Sequence, residues 1–132
     1  MNPVTIEFPS IVDNIKIVES FIDNSRDEYH ISDDLYGNIL VAITEAVNNA
    51  IQHGNGNDKE KIVRLTCNSG PSEISFIIED EGKGFDFSTL PDPTSNENIL
   101  KPNGRGIFLM KHLSDVLKFD EQGKKVEMIF YL

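Results

Sequence analysis

The chain predicts an α+β fold: a two-layer α/β sandwich in which helices cover one face of a mixed sheet. Two observations carry that prediction. Apolar residues alternate with polar ones at both ends of the chain and in its middle, while the intervening segments repeat at helical spacing. The resulting order is strand, helix, helix, two strands, helix, two strands, and no segment is long or apolar enough to suggest a different layering. With 132 residues, 39% of them hydrophobic and 26% charged, residues 1–132 are expected to form a single domain with one core.

The elements follow in order. Val4-Thr5-Ile6-Glu7-Phe8 alternates as a half-buried strand does, and Pro9 ends it. Ser10 and Asp13 mark a helix start, and Ile11, Ile15, Val18 and Ile22 continue the spacing toward Tyr29. Ser32, with Asp33 and Asp34 after it, suits a second helix N-terminus, where an acceptor and negative charge meet free backbone N–H groups. That helix runs through Leu35, Ile39, Ile43, Val47 and Ala50, and Gly54 offers a left-handed stop. Asn55 to Asp58 is turn chemistry. Two strands are expected near residues 61–68 and 73–80, joined by Ser69-Gly70-Pro71. From Phe85 to Asn103 the chain is polar, carries Pro91, Pro93 and Pro102, and lacks periodicity; a long irregular stretch of that kind is often functional. Ile107 to Val116 reads as a third helix, and residues 117–120 and 125–131 as a hairpin around Gly123.

Composition narrows the function classes. The net charge of −10 opposes binding to a nucleic-acid backbone, which needs clustered Lys and Arg. The single cysteine, Cys67, forms no intrachain disulfide and no cysteine-only zinc site. The N-terminal residues lack the basic and apolar regions of a signal peptide, and no run approaches the roughly 20 residues of a membrane span, so a cytoplasmic protein without membrane contact is expected.

Three short segments carry the chemistry. Glu45 and Asn49, in Glu45-Ala46-Val47-Asn48-Asn49-Ala50, stand one helical turn apart and share a side, with small Ala42 and Ala46 flanking them. A Glu and an Asn at this spacing also describe an ordinary solvated face. Asp80-Glu81-Gly82-Lys83-Gly84 follows the apolar Phe76-Ile77-Ile78; Gly82 and Gly84 permit a sharp turn, which is also what a common Asp-Gly hairpin would use. Gly104-Arg105-Gly106 precedes the third helix, where backbone N–H groups and a partial positive charge favour phosphate oxygens; no Gly-Lys-Ser/Thr follows, so this is not a Walker loop. Arg105 there is either a phosphate ligand or a solvent-facing loop charge, and Lys101 is a lesser candidate of the same sort.

In this order the three segments resemble the nucleotide-binding boxes of the GHKL ATPase superfamily, and most closely its small anti-sigma-factor serine/threonine kinases. The likeness spans nearly the whole chain. It implies ATP and magnesium as ligands, with Asn49 giving its side-chain oxygen to the metal and Glu45 acting as general base. It implies that Asp80 accepts a hydrogen bond from the adenine amine, with Gly82 and Gly84 letting the backbone approach the ring. Gly104, Arg105 and Gly106 would close over the phosphates, Arg105 meeting the β- or γ-phosphate. A sigma factor and an antagonist protein are the implied partners, and a homodimer the implied assembly. Alternatives are a nucleotide-dependent binding module that transfers no phosphate, and a histidine-kinase fragment; none of His30, His53 and His112 lies in the upstream helical hairpin the last would need. One departure stands out. Many members carry Thr after the glycine of the last hairpin, supporting the adenine-reading Asp, whereas Gly123 is followed here by Lys124 and Lys125. Either another group replaces that contact or adenine is held more loosely.

Overall fold

A computed structural model describes residues 3–82, 102–120 and 123–132, with side chains in the helix that starts at Pro102 described from Gly106 onward. The elements are β1 (Val4–Pro9), a 3-10 turn (Val12–Asn14), α1 (Ile15–Tyr29), α2 (Asp33–Asn49) with a π-helical continuation (Ala50–Gly54), β2 (Ile62–Ser69), β3 (Glu73–Glu79), α3 (Pro102–Leu113), β4 (Val116–Asp120) and β5 (Lys125–Tyr131).

The five strands form one sheet in the order β1-β2-β3-β5-β4. The α+β class and the helical layer are as the sequence predicts, but among the described residues every pairing is antiparallel, where a mixed sheet is expected. The physical reason is the last hairpin. β3 and β4, joined through α3, do run in the same direction, but β5 inserts between them and pairs antiparallel with both.

Helix boundaries are set by local chemistry. Ser32 Oγ accepts a hydrogen bond from the Leu35 N–H at 3.3 Å and caps α2, with Asp33 and Asp34 in its first turn. His30, in the left-handed region at φ 56°, ends α1. After the π-helical turn the left-handed residues are Gly56 (φ 61°) and Asn57 (φ 58°), not Gly54. α3 begins at Pro102 rather than Ile107 and ends at Leu113 rather than Val116. Proline fits a first helical position, where its missing N–H is no loss. The glycine pair therefore lies inside the first turns of the helix instead of preceding it. Of the irregular stretch expected over Phe85 to Asn103, the last two residues are helical and the rest lies outside the described residues.

The core forms between the inner sheet face and the helices. Val63, Leu65, Ile74, Phe76, Ile78, Met128 and Phe130 meet Val18, Ile22, Ile39, Ile43 and Val47, all at 0–1% exposure. Phe76 and Phe130 pack edge to face at 6.2 Å. α2 is central in the helical layer, touching both α1 and α3. Ile11, expected on the core face of the first helix, is 41% exposed because it precedes the 3-10 turn.

The outer sheet face is polar. A single row crosses all five strands as Glu7, Arg64, Glu79, Lys125 and Asp120, alternating in sign from one strand to the next. Arg64 lies 3.6 Å from Glu7 and 3.9 Å from Glu79. Exposed pairs of this kind contribute about 0–1 kcal/mol each, and their main effect is to keep the open face solvated. Among the described residues, no helix is long and apolar enough to cross a membrane.

Candidate functional site

The site starts on α2. Its core stripe of Ile39, Ile43, Ala46, Val47 and Ala50 is buried against the sheet, which leaves Glu45 and Asn49 on a flank. That flank faces α3. A Cβ placed on Gly106 would come 2.9 Å from Asn49 Nδ2 and 3.4 Å from Glu45 Oε2. Glycine thus lets the α3 backbone lie directly on the two polar side chains that the sequence singles out. Two of the three segments are brought together at this point.

Glu45 has a second neighbour. A groove of about 350 Å³ between α1 and α2 is lined by Glu19, Leu40, Val41, Thr44 and Glu45. Glu45 therefore stands between the α3 side and an open cleft. Asn48 turns to another side of α2, and its Oδ1 is buried without a hydrogen-bond partner among the described residues.

The third segment joins at the far end of α2. Asp80 follows β3 directly, and its N–H donates to the Lys124 carbonyl at 3.0 Å. Its Oδ1 accepts from the Gly82 N–H at 2.8 Å, closing the turn. The carboxylate rests on Gly54, where an added Cβ would come 2.4 Å from Asp80 Oδ2. A Cβ on Gly82 would fall 1.8 Å from the Gly54 carbonyl oxygen, so close approach of two backbones requires glycine at 82, whereas at Gly54 it is the Asp80 carboxylate that leaves no room. Burial pushes the Asp80 carboxyl above its ordinary range, opposed by the Gly82 N–H and by the charges of Lys124 and Lys61. Among the described residues the Gly82 N–H donates to this carboxylate, and a ligand amine could donate to it as well.

Sequence reasoning read Gly54 as a helix stop and Asn55 as turn chemistry. Both do more. Asn55 is 2% exposed, and its side chain joins three separate parts of the fold. Nδ2 donates to Ser10 Oγ at 2.7 Å and to the Ile62 carbonyl at 3.2 Å, and Oδ1 accepts from the Glu81 N–H at 2.8 Å. Those partners are 45, 7 and 26 residues away in the chain, so no local pattern could have revealed them.

Gly104 and Arg105 are placed as backbone in the first turn of α3, with the Arg105 side chain outside the described residues; Gly84 and Lys101 lie outside them altogether. Lys124, which follows Gly123, contributes its carbonyl to Asp80 N–H and its charge to the Asp80 surroundings.

Comparison with known proteins fits this geometry. The profile of the histidine kinase-like ATPase domain matches residues 8–130. The serine-protein kinase RsbW of Staphylococcus epidermidis is 34% identical over 100 residues, covering 70% of this chain and 63% of the relative. RsbW of Staphylococcus aureus strain MSSA476 is 30% identical over the same length, with the same 63% coverage. The chain thus spans less than two thirds of the length of these relatives. The solved structure of the RsbU and RsbW domains of Rv1364c from Mycobacterium tuberculosis superposes with a TM-score of 0.67 over 99% of this chain and 31% of that one, at 13% identity, a likeness of fold.

Proposed function

Because this chain belongs to the histidine kinase-like ATPase domain family, we propose that it is an anti-sigma-factor-type serine/threonine protein kinase. On this reading residues 1–132 are one ATP-binding domain that phosphorylates a serine on an antagonist protein and so switches the binding of a sigma factor. The observation that carries the reading is the convergence on α2: Glu45 and Asn49 beneath the bare backbone of Gly106, and the Asp80 carboxylate seated on Gly54 just past the same helix.

The residues fit the ligands. The close seat that Gly106 leaves over Asn49 brings the side-chain amide to the first turns of α3, where N–H groups favour phosphate. Asn49 would hold magnesium, a hard cation that takes few protein oxygens and completes its shell from phosphates and water. Magnesium, when bound, neutralises charge on the transferring phosphoryl group. Asp80 would accept the adenine amine, where guanine presents an oxygen. Gly82, Gly84, Gly104, Arg105 and Gly106 would line the path of the nucleotide, with Arg105 meeting the terminal phosphates. Glu45 would take the proton from the acceptor serine hydroxyl as the new O–P bond forms and the bond to the β-phosphate oxygen breaks, leaving ADP. The α1–α2 groove gives that hydroxyl an approach to Glu45 from the side away from α3. A cytoplasmic homodimer belongs to the same reading. So do the RsbW names of the relatives, which are serine-protein kinases.

The test is transfer of label from γ-labelled ATP to an antagonist protein encoded beside this one. Transfer that disappears in Glu45→Ala and Asn49→Ala but persists in Gln52→Ala, an exposed position in the π-helical turn after α2, supports the kinase. Nucleotide binding with no transfer to any antagonist supports the second reading, a nucleotide-dependent binding module. The Lys124-Lys125 sequence after Gly123 favours that reading, since it removes a hydroxyl from beside Asp80.

A further inference from the structure

We infer that Asn55 is the positioning residue for purine recognition: it holds the Asp80-Glu81-Gly82 turn at a fixed distance from the end of α2, and so sets where the Asp80 carboxylate meets the base. The inference rests on the reading of Asp80 as the adenine acceptor.

The argument begins with the inventory of one amide. A primary amide offers two donor hydrogens and an oxygen with two acceptor lone pairs. Asn55 commits both donors and its oxygen to buried partners, and is 2% exposed. Ser10 Oγ, which accepts from Nδ2, itself donates to the Lys61 carbonyl at 2.7 Å, so the amide is held by a group that is held in turn. The Ser10 N–H donates to that same carbonyl at 3.0 Å. Asn55 thereby ties the β1–α1 junction and the start of β2 to the turn after β3, and its own N–H donates to the Ala50 carbonyl of the π-helical turn at 2.8 Å.

The Glu81 N–H is the informative contact. Glu81 lies between Asp80 and Gly82, the two residues whose mutual hydrogen bond orients the carboxylate. Fixing the N–H of the middle residue fixes the plane of the turn. Glu81 reinforces the link with its own side chain, which accepts from the Ile62 N–H at 2.5 Å, beside the carbonyl that Asn55 bonds. Gly54, the residue before Asn55, is the surface on which Asp80 rests. One residue thus holds the turn that carries the acceptor with its side chain and, through its own N–H, the end of the π-helical turn beside Gly54. Both of its donors are committed and the residue is 2% exposed, which distinguishes Asn55 from Glu45, Asn49 and Asp80.

The experiment compares affinity for ATP with affinity for the triphosphate of unsubstituted purine riboside, which lacks the exocyclic amine. Wild type, Asn55→Ala, Ser10→Ala, Asp80→Asn and the Asn55→Ala/Asp80→Asn double variant are measured below their melting temperatures. The preference for ATP is expected to fall about fivefold or more in Asn55→Ala and about twofold in Ser10→Ala, which removes one anchor of the amide and leaves the backbone bonds of Ser10 in place. On the Asp80→Asn background Asn55→Ala should change the preference no further, because both act through one acceptor. Should Asn55→Ala fail to fold, Ser10→Ala alone decides. A lowered melting temperature with the wild-type preference intact would make Asn55 a stabilising residue only and overturn the inference. An unchanged preference in Asp80→Asn itself would instead remove the adenine-acceptor reading, and the inference with it.

Discussion

Replacing Gly106 by alanine separates stability from function, because its effects on the two have different origins. Position 106 is inside α3, where alanine exceeds glycine by about 1 kcal/mol in helix propensity. Against that gain, the new Cβ would stand 2.9 Å from Asn49 Nδ2 and 3.5 Å from its Cγ. The obstructing atom is the end of a side chain, so the amide can turn aside at the cost of a strained rotamer, about 0.5–1.5 kcal/mol. The two terms nearly cancel, and the melting temperature should move by no more than about 5 °C. The function should not survive as well. Asn49 is displaced from the position where it would meet the metal, and the new Cβ stands 3.4 Å from Glu45 Oε2. Misplacement of a ligating group by a fraction of an ångström warrants a loss of about tenfold or more in magnesium-dependent ATP affinity. Circular dichroism melting gives the first quantity, and calorimetric titration with ATP, with magnesium and with EDTA, gives the second. Undiminished magnesium-dependent affinity in Gly106→Ala would refute the assignment of this contact to the site.

Other outcomes follow from the same structure. Asp80→Asn should lose adenine selectivity yet melt higher than wild type at pH 7, since the Gly82 N–H keeps an acceptor and burial no longer opposes a charge. The folded state raises the Asp80 pKa, so ionisation there works against folding above the raised pKa and that penalty is relieved as pH falls through it. The stability difference between Asp80→Asn and wild type should therefore shrink on acidification, and a difference that widens in melts from pH 7 to pH 4 would contradict the sign. Gly82→Ala should cost more than about 2 kcal/mol in urea unfolding, because its Cβ would fall 1.8 Å from a backbone oxygen that cannot simply rotate away. Cys67, 1% exposed, has its thiol pushed up to about 11 by burial, partly offset by Ser25. It should resist iodoacetamide at pH 8 until the protein unfolds, and rapid native labelling would show that this strand is not in the core.

The legible parts of the fold and site are those encoded locally. Glu45 and Asn49 could be paired from spacing alone, because a helical turn brings them together whatever else the chain does. Asp80 and Gly82 could be read because their bond spans two residues. The start of α3 could not be read, since Gly104 and Gly106 weaken local helix preference and it is contact with α2 that favours the helix there. The order of strands and helices suggests a mixed sheet, and only the full register shows β5 lying between β3 and β4. Asn55 was invisible for a deeper reason. A side chain that joins residues 10, 62 and 81 has no signature in its own neighbourhood, and its neighbours spell a turn.

The central claim is an adenine-nucleotide pocket assembled on α2, and calorimetric titration of the protein with ATP and GTP in magnesium tests it most directly. The account predicts one ATP per chain, GTP weaker by about tenfold or more, and loss of the magnesium dependence in Asn49→Ala. Absence of ATP binding, or equal affinity for the two nucleotides together with an unaffected Asn49→Ala, would contradict it.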